Sequence, residues 1–260
     1  MFGFKKWRRE RLFNKPISDE WQRMLSQNVP YTRKLPAELQ EKLRGFTNVF
    51  IHEKTFEGCA GLELTDEIKI TIAGQACILL LGLEDLSSFY DGLRSVLVYP
   101  ETYVAKVKDH HNGYVVEEGF QQRHGEAWSR GHVVLAWDEV KKGGANMHDG
   151  RNLVFHEFAH LIDYDYGATA EVESGNDSGF WSWGSWGSII DQEYNKLLRA
   201  LRRNQRTLID EYGATNLAEF FAVVTENFFE RPTELRQQHP ELYNQLAEFY
   251  HQEPAKYISS

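Results

Sequence analysis

A chain of 260 residues, 42% hydrophobic and 13% aromatic, can bury one sizeable core, which excludes a disordered composition. A formal net charge of −9 excludes a general nucleic-acid binder, because phosphate backbones demand Lys/Arg-rich faces. No run reaches the roughly 18 apolar residues that span a bilayer, and no apolar signal segment follows the charged start, so a cytoplasmic protein is expected.

Residues 1–34 carry Pro16, Pro30 and many charges and read as an irregular lead-in with a short helix around Asp19–Ser26. The basic cluster Lys5, Lys6, Arg8, Arg9 and Arg11 surrounds Phe4, Trp7 and Leu12. It reads as a solvated, partly mobile terminus in preference to a patch for an acidic surface. From Leu35 to about Phe56, Leu39, Leu43, Phe46, Val49 and Phe50 recur at helical spacing, and Gly58 and Gly61 then break the chain. Thr65–Leu83 is a second, buried helix with Thr65 as N-cap. Cys59 and Cys77 fit no zinc, redox or disulfide framework and read as reduced residues in or near the core.

Ser95–Tyr99, closed by Pro100, and His132–Trp137, preceded by a turn at residues 129–131, read as strands. Gly143, Gly144 and Gly150 mark a loop. A helix runs from Asn152 to about Asp163, and a Gly-, Ser- and Trp-rich loop covers residues 164–188. Further helices follow at about Asp191–Arg206, Asn216–Phe229 and Glu241–Tyr250. Helices, then strands, then helices predict an α+β fold in preference to alternating βαβ units. The boundary falls near residue 94, between an N-terminal helical portion (1–94) and a catalytic portion (95–254), the two able to form one compact domain.

His156-Glu157-Phe158-Ala159-His160 is an H-E-x-x-H motif. Four residues advance a helix by about 400°, so both imidazoles lie on one face and can reach one tetrahedral zinc. Glu157, rotated by about 100°, stands beside the metal as a general base. Leu153, Val154, Phe155, Leu161 and Ile162 supply buried faces. The competing reading is a pair of structural histidines held by carboxylates. The extended motif with a third histidine is excluded, since position 163 is Asp and position 166 is Tyr. The alternative is a downstream glutamate. Glu219, followed by Phe220 and Phe221, occupies an apolar stretch where a carboxylate is costly unless it binds a metal or a partner. Glu226, on nearly the same helix face, is the competing ligand or a group supporting the ligands. Tyr212 either donates to a tetrahedral oxyanion or packs at a helix entrance.

HEFAHLID followed by YGATNLAEFFAVVTENFF resembles the glucose-regulated zinc metallopeptidases typified by Mlc titration factor A. The Tyr…Ala-Glu-Phe-Phe-Ala pattern is also similar to the catalytic domain of anthrax lethal factor. The first resemblance runs from about Leu35 to about Pro254. It takes in the VLVYP and VVLAW strands, the Gly125–Trp128 turn and the tail from Phe249 to Pro254. It implies a zincin-like (gluzincin-type) domain holding one zinc through His156, His160 and Glu219, with Glu157 as base and Tyr212 as oxyanion partner. It further implies hydrolysis of short peptides, aminopeptidase-type cleavage included. In enteric bacteria it implies binding to the Mlc repressor and modulation of glucose-uptake gene expression.

The rival function is a non-catalytic protein that sequesters a transcriptional regulator around a structural or vestigial zinc. The intact Glu157 argues against it, since a structural site needs only ligands. Metal-dependent hydrolysis of a non-peptide substrate is a third reading. In the peptidase reading, strand 132–137 borders the cleft where an extended peptide adds as a further strand. Trp181, Trp183 and Trp186 then form a lid or substrate wall, or else anchor a long loop.

Overall fold

A computed structural model describes residues 2–84, 86, 89–101, 131–166, 169 and 186–258. The N-terminal region is more regular than its charges suggest. Helix α1 (Phe2–Phe13) replaces the expected irregular start. Its anchor is Arg9, only 1% exposed. The guanidinium holds both Glu53 oxygens at 2.9–3.0 Å, Asp91 Oδ1 at 2.6 Å and the Phe89 carbonyl at 3.3 Å. Lys5 joins the same Asp91 at 2.8 Å. The basic cluster is therefore a fastening in part, through Arg9 and Lys5, while Lys6, Arg8 and Arg11 are exposed as expected, along with Phe4 and Trp7.

Helix α2 (Asp19–Asn28) is capped by Ser18, and α4 (Asp66–Ile78) by Thr65 as expected, each hydroxyl accepting a backbone N–H of the first turn. Between them α3 (Ala37–Glu53) buries Leu43, Phe46, Val49 and Phe50. It ends before Phe56 because the chain passes into a strand, β1 (Thr55–Gly58), which the helical periodicity concealed.

The described residues form a three-stranded parallel sheet in the order β1, β2 (Ser95–Tyr99), β3 (His132–Ala136). Thr55 pairs with Ser95, and Ser95 with His132. Parallel neighbours need a crossover, and α4 lies in the β1–β2 connection. One βαβ unit thus stands where segregated helices and strands were expected, and the sheet straddles residue 94. β2 and β3 coincide with the predicted strands, except that Trp137 opens helix α5 (Trp137–Ala145). That helix contains Gly143 and Gly144, read from sequence as loop. A Cβ at Gly143 would lie 3.0 Å from the Asn152 Cα, and one at Gly144 2.9 Å from the Asn28 carbonyl oxygen. These glycines permit close packing instead of breaking the chain.

The remaining α-helices among the described residues are α6 (Leu153–Tyr166), α7 (Trp186–Arg202), α8 (Leu217–Glu230), α9 (Pro232–Gln238) and α10 (Pro240–Tyr250). α9 was not expected; Pro232 starts it, where a missing N–H costs nothing. Trp186 opens α7 and stacks on Phe249 at 5.1 Å between ring centroids, buried in the core, so it is no lid. Trp181, Trp183, the Gly125–Trp128 turn and Ser129–Arg130 lie outside the described residues. Among the described residues, an apolar cluster runs from Leu25 to Ile258 and draws on both sides of residue 94. Cys59 and Cys77 are free thiols, half-buried and buried. No helix among the described residues is long and apolar enough to cross a membrane.

Candidate metal centre

Helix α6 begins where Gly150, at φ +75°, turns the chain and the Asn152 side chain accepts the Phe155 N–H at 3.0 Å. Its apolar residues wedge it in place. Phe158 meets Phe50 and Tyr90; Phe155 meets Tyr31 and Phe229. With those faces committed, His156 and His160 share the remaining one, their ring centroids 4.8 Å apart. Helix α8 packs along α6. Asn216 caps α8 by accepting the Glu219 N–H at 2.9 Å, which fixes Glu219 in the first turn, facing the imidazoles.

Three donor atoms converge. His156 Nε2 lies 3.0 Å from Glu219 Oε2 and 3.2 Å from His160 Nε2; His160 Nε2 lies 3.3 Å from Glu219 Oε2. Among the described residues, these three side chains form the group that can hold a metal ion. Glu226 sits on the opposite side of the same imidazole, Oε1 2.8 Å from His156 Nδ1. Glu157 is buried on α6. Tyr212 lies on a short 3-10 turn (Glu211–Ala214), 37% exposed, its ring centroid 5.8 Å from that of His156. Asp210 steadies the turn, accepting the Tyr212 N–H at 3.0 Å and Arg151 Nη2 at 2.6 Å.

The electrostatics favour positive charge. Burial opposes the charged form of His156, yet hydrogen bonds to Glu219 and Glu226 and the nearby charges of Glu226 and Glu157 lift its pKa to about 10 in the metal-free chain. Burial likewise opposes ionised Glu219, but His156 and His160 bring it down to about 2. Burial raises Glu226 against the pull of His156 and of the Asn152 N–H. Two imidazole nitrogens and a carboxylate converging, with further carboxylates close by, suit a divalent cation that would take the place of the His156 proton.

Two supporting residues escaped the sequence reading. Glu230, four residues beyond Glu226 and so on its helix face, accepts the Gly150 and Arg151 N–H groups at 3.1 and 3.2 Å. Asp163, one turn past His160, accepts the Thr169 N–H at 2.7 Å and its hydroxyl at 2.6 Å, holding the chain that leaves α6. Spacing along the two helices points to both positions, but not to their backbone partners.

The family model described as glucose-regulated metallo-peptidase M90 matches residues 4–251, so the likeness begins in α1 and not at Leu35. An uncharacterized protein of Synechocystis sp. is 41% identical over 252 residues, covering 95% of this chain and 89% of the relative. Mlc titration factor A of Pectobacterium atrosepticum is 28% identical over 253 residues, covering 93% and 89%. Mlc titration factor A of Klebsiella pneumoniae subsp. pneumoniae is 30% identical over 250 residues, covering 90% and 86%.

Proposed function

The chain belongs to the glucose-regulated metallo-peptidase M90 family, and on that premise we propose that it is a zinc-dependent peptidase with a zincin-like catalytic domain. One observation carries the reading. The three donor atoms of His156, His160 and Glu219 stand 3.0–3.3 Å apart. That spacing matches the edge, about 3.3 Å, of a tetrahedron built on metal–ligand bonds of about 2.0–2.1 Å. Glu226 is then no ligand, since it faces Nδ1 of an imidazole whose Nε2 faces the cluster.

Zinc held there supplies a water of pKa about 7 and a polarised scissile carbonyl. Glu157 takes the proton of the attacking water on its carboxylate and passes it to the leaving amine. The hydroxyl of Tyr212, whose ring centroid lies 5.8 Å from that of His156, donates to the oxyanion. An extended peptide runs beside β3 as an added strand. The 1–94 portion braces the 95–254 portion, which carries every one of these groups. Two free thiols fit a reducing, cytoplasmic setting.

The relatives named Mlc titration factor A support a second role, binding of an Mlc-type transcriptional repressor and thereby an influence on glucose-uptake genes. An intact Glu157 beside the cluster favours catalysis over sequestration alone. The deciding experiment combines zinc analysis of the purified protein with a screen of N-terminally free and blocked peptides, run on wild type and Glu157→Gln. One zinc per chain and cleavage that the variant loses are expected, and preference for free N-termini would mark aminopeptidase-type action. Zinc-loaded protein that cleaves no peptide would overturn the peptidase reading.

A further inference from the structure

Three carboxylates of α8 face α6, and only Glu219 has a part in the reaction above. Glu226 and Glu230 meet the opening of the motif helix. Glu226 is buried and uses both oxygens. Oε1 lies 2.8 Å from His156 Nδ1, and Oε2 accepts the Asn152 backbone N–H at 2.5 Å. Glu230 accepts the Asn152 side-chain amide at 3.1 Å and the N–H groups of Gly150 and Arg151, so Asn152 is held from two directions. The Asn152 N–H is a donor that cannot change its role.

We infer that Glu226 is a positioning residue which, by accepting from Asn152 N–H and His156 Nδ1–H at once, keeps the remaining ring proton on Nδ1 when a metal takes the place of the one on Nε2. The inference rests on the metallopeptidase reading and deepens it. A carboxylate suits this place because both of its partners are donors. An amide does not. With Gln at 226, its oxygen can stay on the Asn152 N–H, but its NH2 then faces His156 Nδ1. That nitrogen must become the acceptor, and the ring proton moves to Nε2, where it blocks the metal. Turning the amide over restores the correct tautomer but sets the NH2 against the Asn152 N–H, two buried donors face to face. Ala at 226 removes the acceptor without supplying a wrong donor. The isosteric variant therefore harms metal binding at least as much as the truncated one. A residue that merely fills space predicts the opposite order.

The test uses the full chain as wild type, Glu226→Gln and Glu226→Ala. Zinc affinity is measured by competition with a chelator, thermal unfolding is recorded on the metal-free proteins, and 15N-histidine spectra are taken on the zinc-loaded ones. Zinc binding about 10–100-fold weaker in Glu226→Gln is expected, with Glu226→Ala no weaker than that and a cooperative metal-free transition showing that each variant folds. Zinc-loaded wild type should show a hydrogen-bonded proton on His156 Nδ1, its resonance moving upfield in Glu226→Ala. Wild-type zinc affinity in Glu226→Gln, a larger loss in Glu226→Ala than in Glu226→Gln, or an unprotonated His156 Nδ1 in the zinc-loaded wild type would each overturn the inference. Should Glu226→Ala fail to fold, the Glu226→Gln affinity and the wild-type spectrum still decide. A wild type with no affinity for zinc sinks the metal-site reading beneath it, and the same titration distinguishes that failure.

Discussion

Glu219 and Glu226 stand seven residues apart on one helix face, yet they meet opposite nitrogens of the same imidazole. Helical spacing shows that both can approach His156, and it cannot show which end of the ring each reaches. That depends on how α8 slides along α6. The histidine pair is different, because i, i+4 spacing within one helix dictates their juxtaposition without any tertiary information. His156→Ala, His160→Ala and Glu219→Ala should each abolish stoichiometric zinc in metal analysis, and Glu219→Ala should cost far more affinity than Glu226→Ala. The reverse order for the two glutamates would reassign the third ligand. Glu157→Gln should keep its zinc while peptide turnover falls by about 10²–10⁴-fold, the usual cost of losing a general base. Tyr212→Phe should also keep zinc and lose about 10²–10³-fold in turnover, as for one oxyanion donor. Unchanged turnover in either variant would remove that residue from the reaction.

At the scale of elements, α2, α4, α6, α8, β2 and β3 were legible because each is a long or strongly patterned segment with caps or breakers written locally, such as Ser18, Thr65 and Pro100. Four elements were not: α9 is a seven-residue helix opened by Pro232, and each of the other three has a tertiary cause. β1 is four largely exposed residues that form a strand only by pairing with β2, forty residues on. α5 hides behind two glycines that serve close packing. α1 looks like a solvated basic terminus because its anchor, Arg9, finds its acidic partners at Glu53 and Asp91, 44 and 82 residues away. Arg9→Met should therefore destabilise the protein well beyond a surface change. Glu53, with a side chain only 10% exposed, would be left as an uncompensated charge, which typically costs about 3–5 kcal/mol. In a chain of this size that lowers Tm by roughly 10 °C. Adding Glu53→Gln should recover part of the loss, because the stranded charge is gone. A double variant no better than the single one would show that α1 is held by packing alone.

At the scale of the molecule, the apolar cluster from Leu25 to Ile258 makes the helical portion and the site-bearing portion share one interior, while the candidate ligands join α6 to α8 across 63 residues of sequence. A metal bound by both helices binds the native chain and not the unfolded one, so it adds stability to everything that unfolds with them. At a thousandfold excess of free zinc over Kd the gain is about 4 kcal/mol. At about 2–4 °C per kcal/mol for a chain of this length, the zinc-loaded protein should melt about 8–16 °C above the chelated one. Calorimetry with and without a chelator tests this, with His160→Ala as the variant in which the difference should vanish. The shape of the transition carries equal weight. If residues 1–94 and 95–254 unfold together, one transition moves as a whole when zinc is removed. If they unfold separately, only the transition of the site-bearing portion moves, which would support a division near residue 94. A chelator-insensitive melt in a protein that carries stoichiometric zinc would place the metal outside the α6–α8 junction and overturn the ligand set.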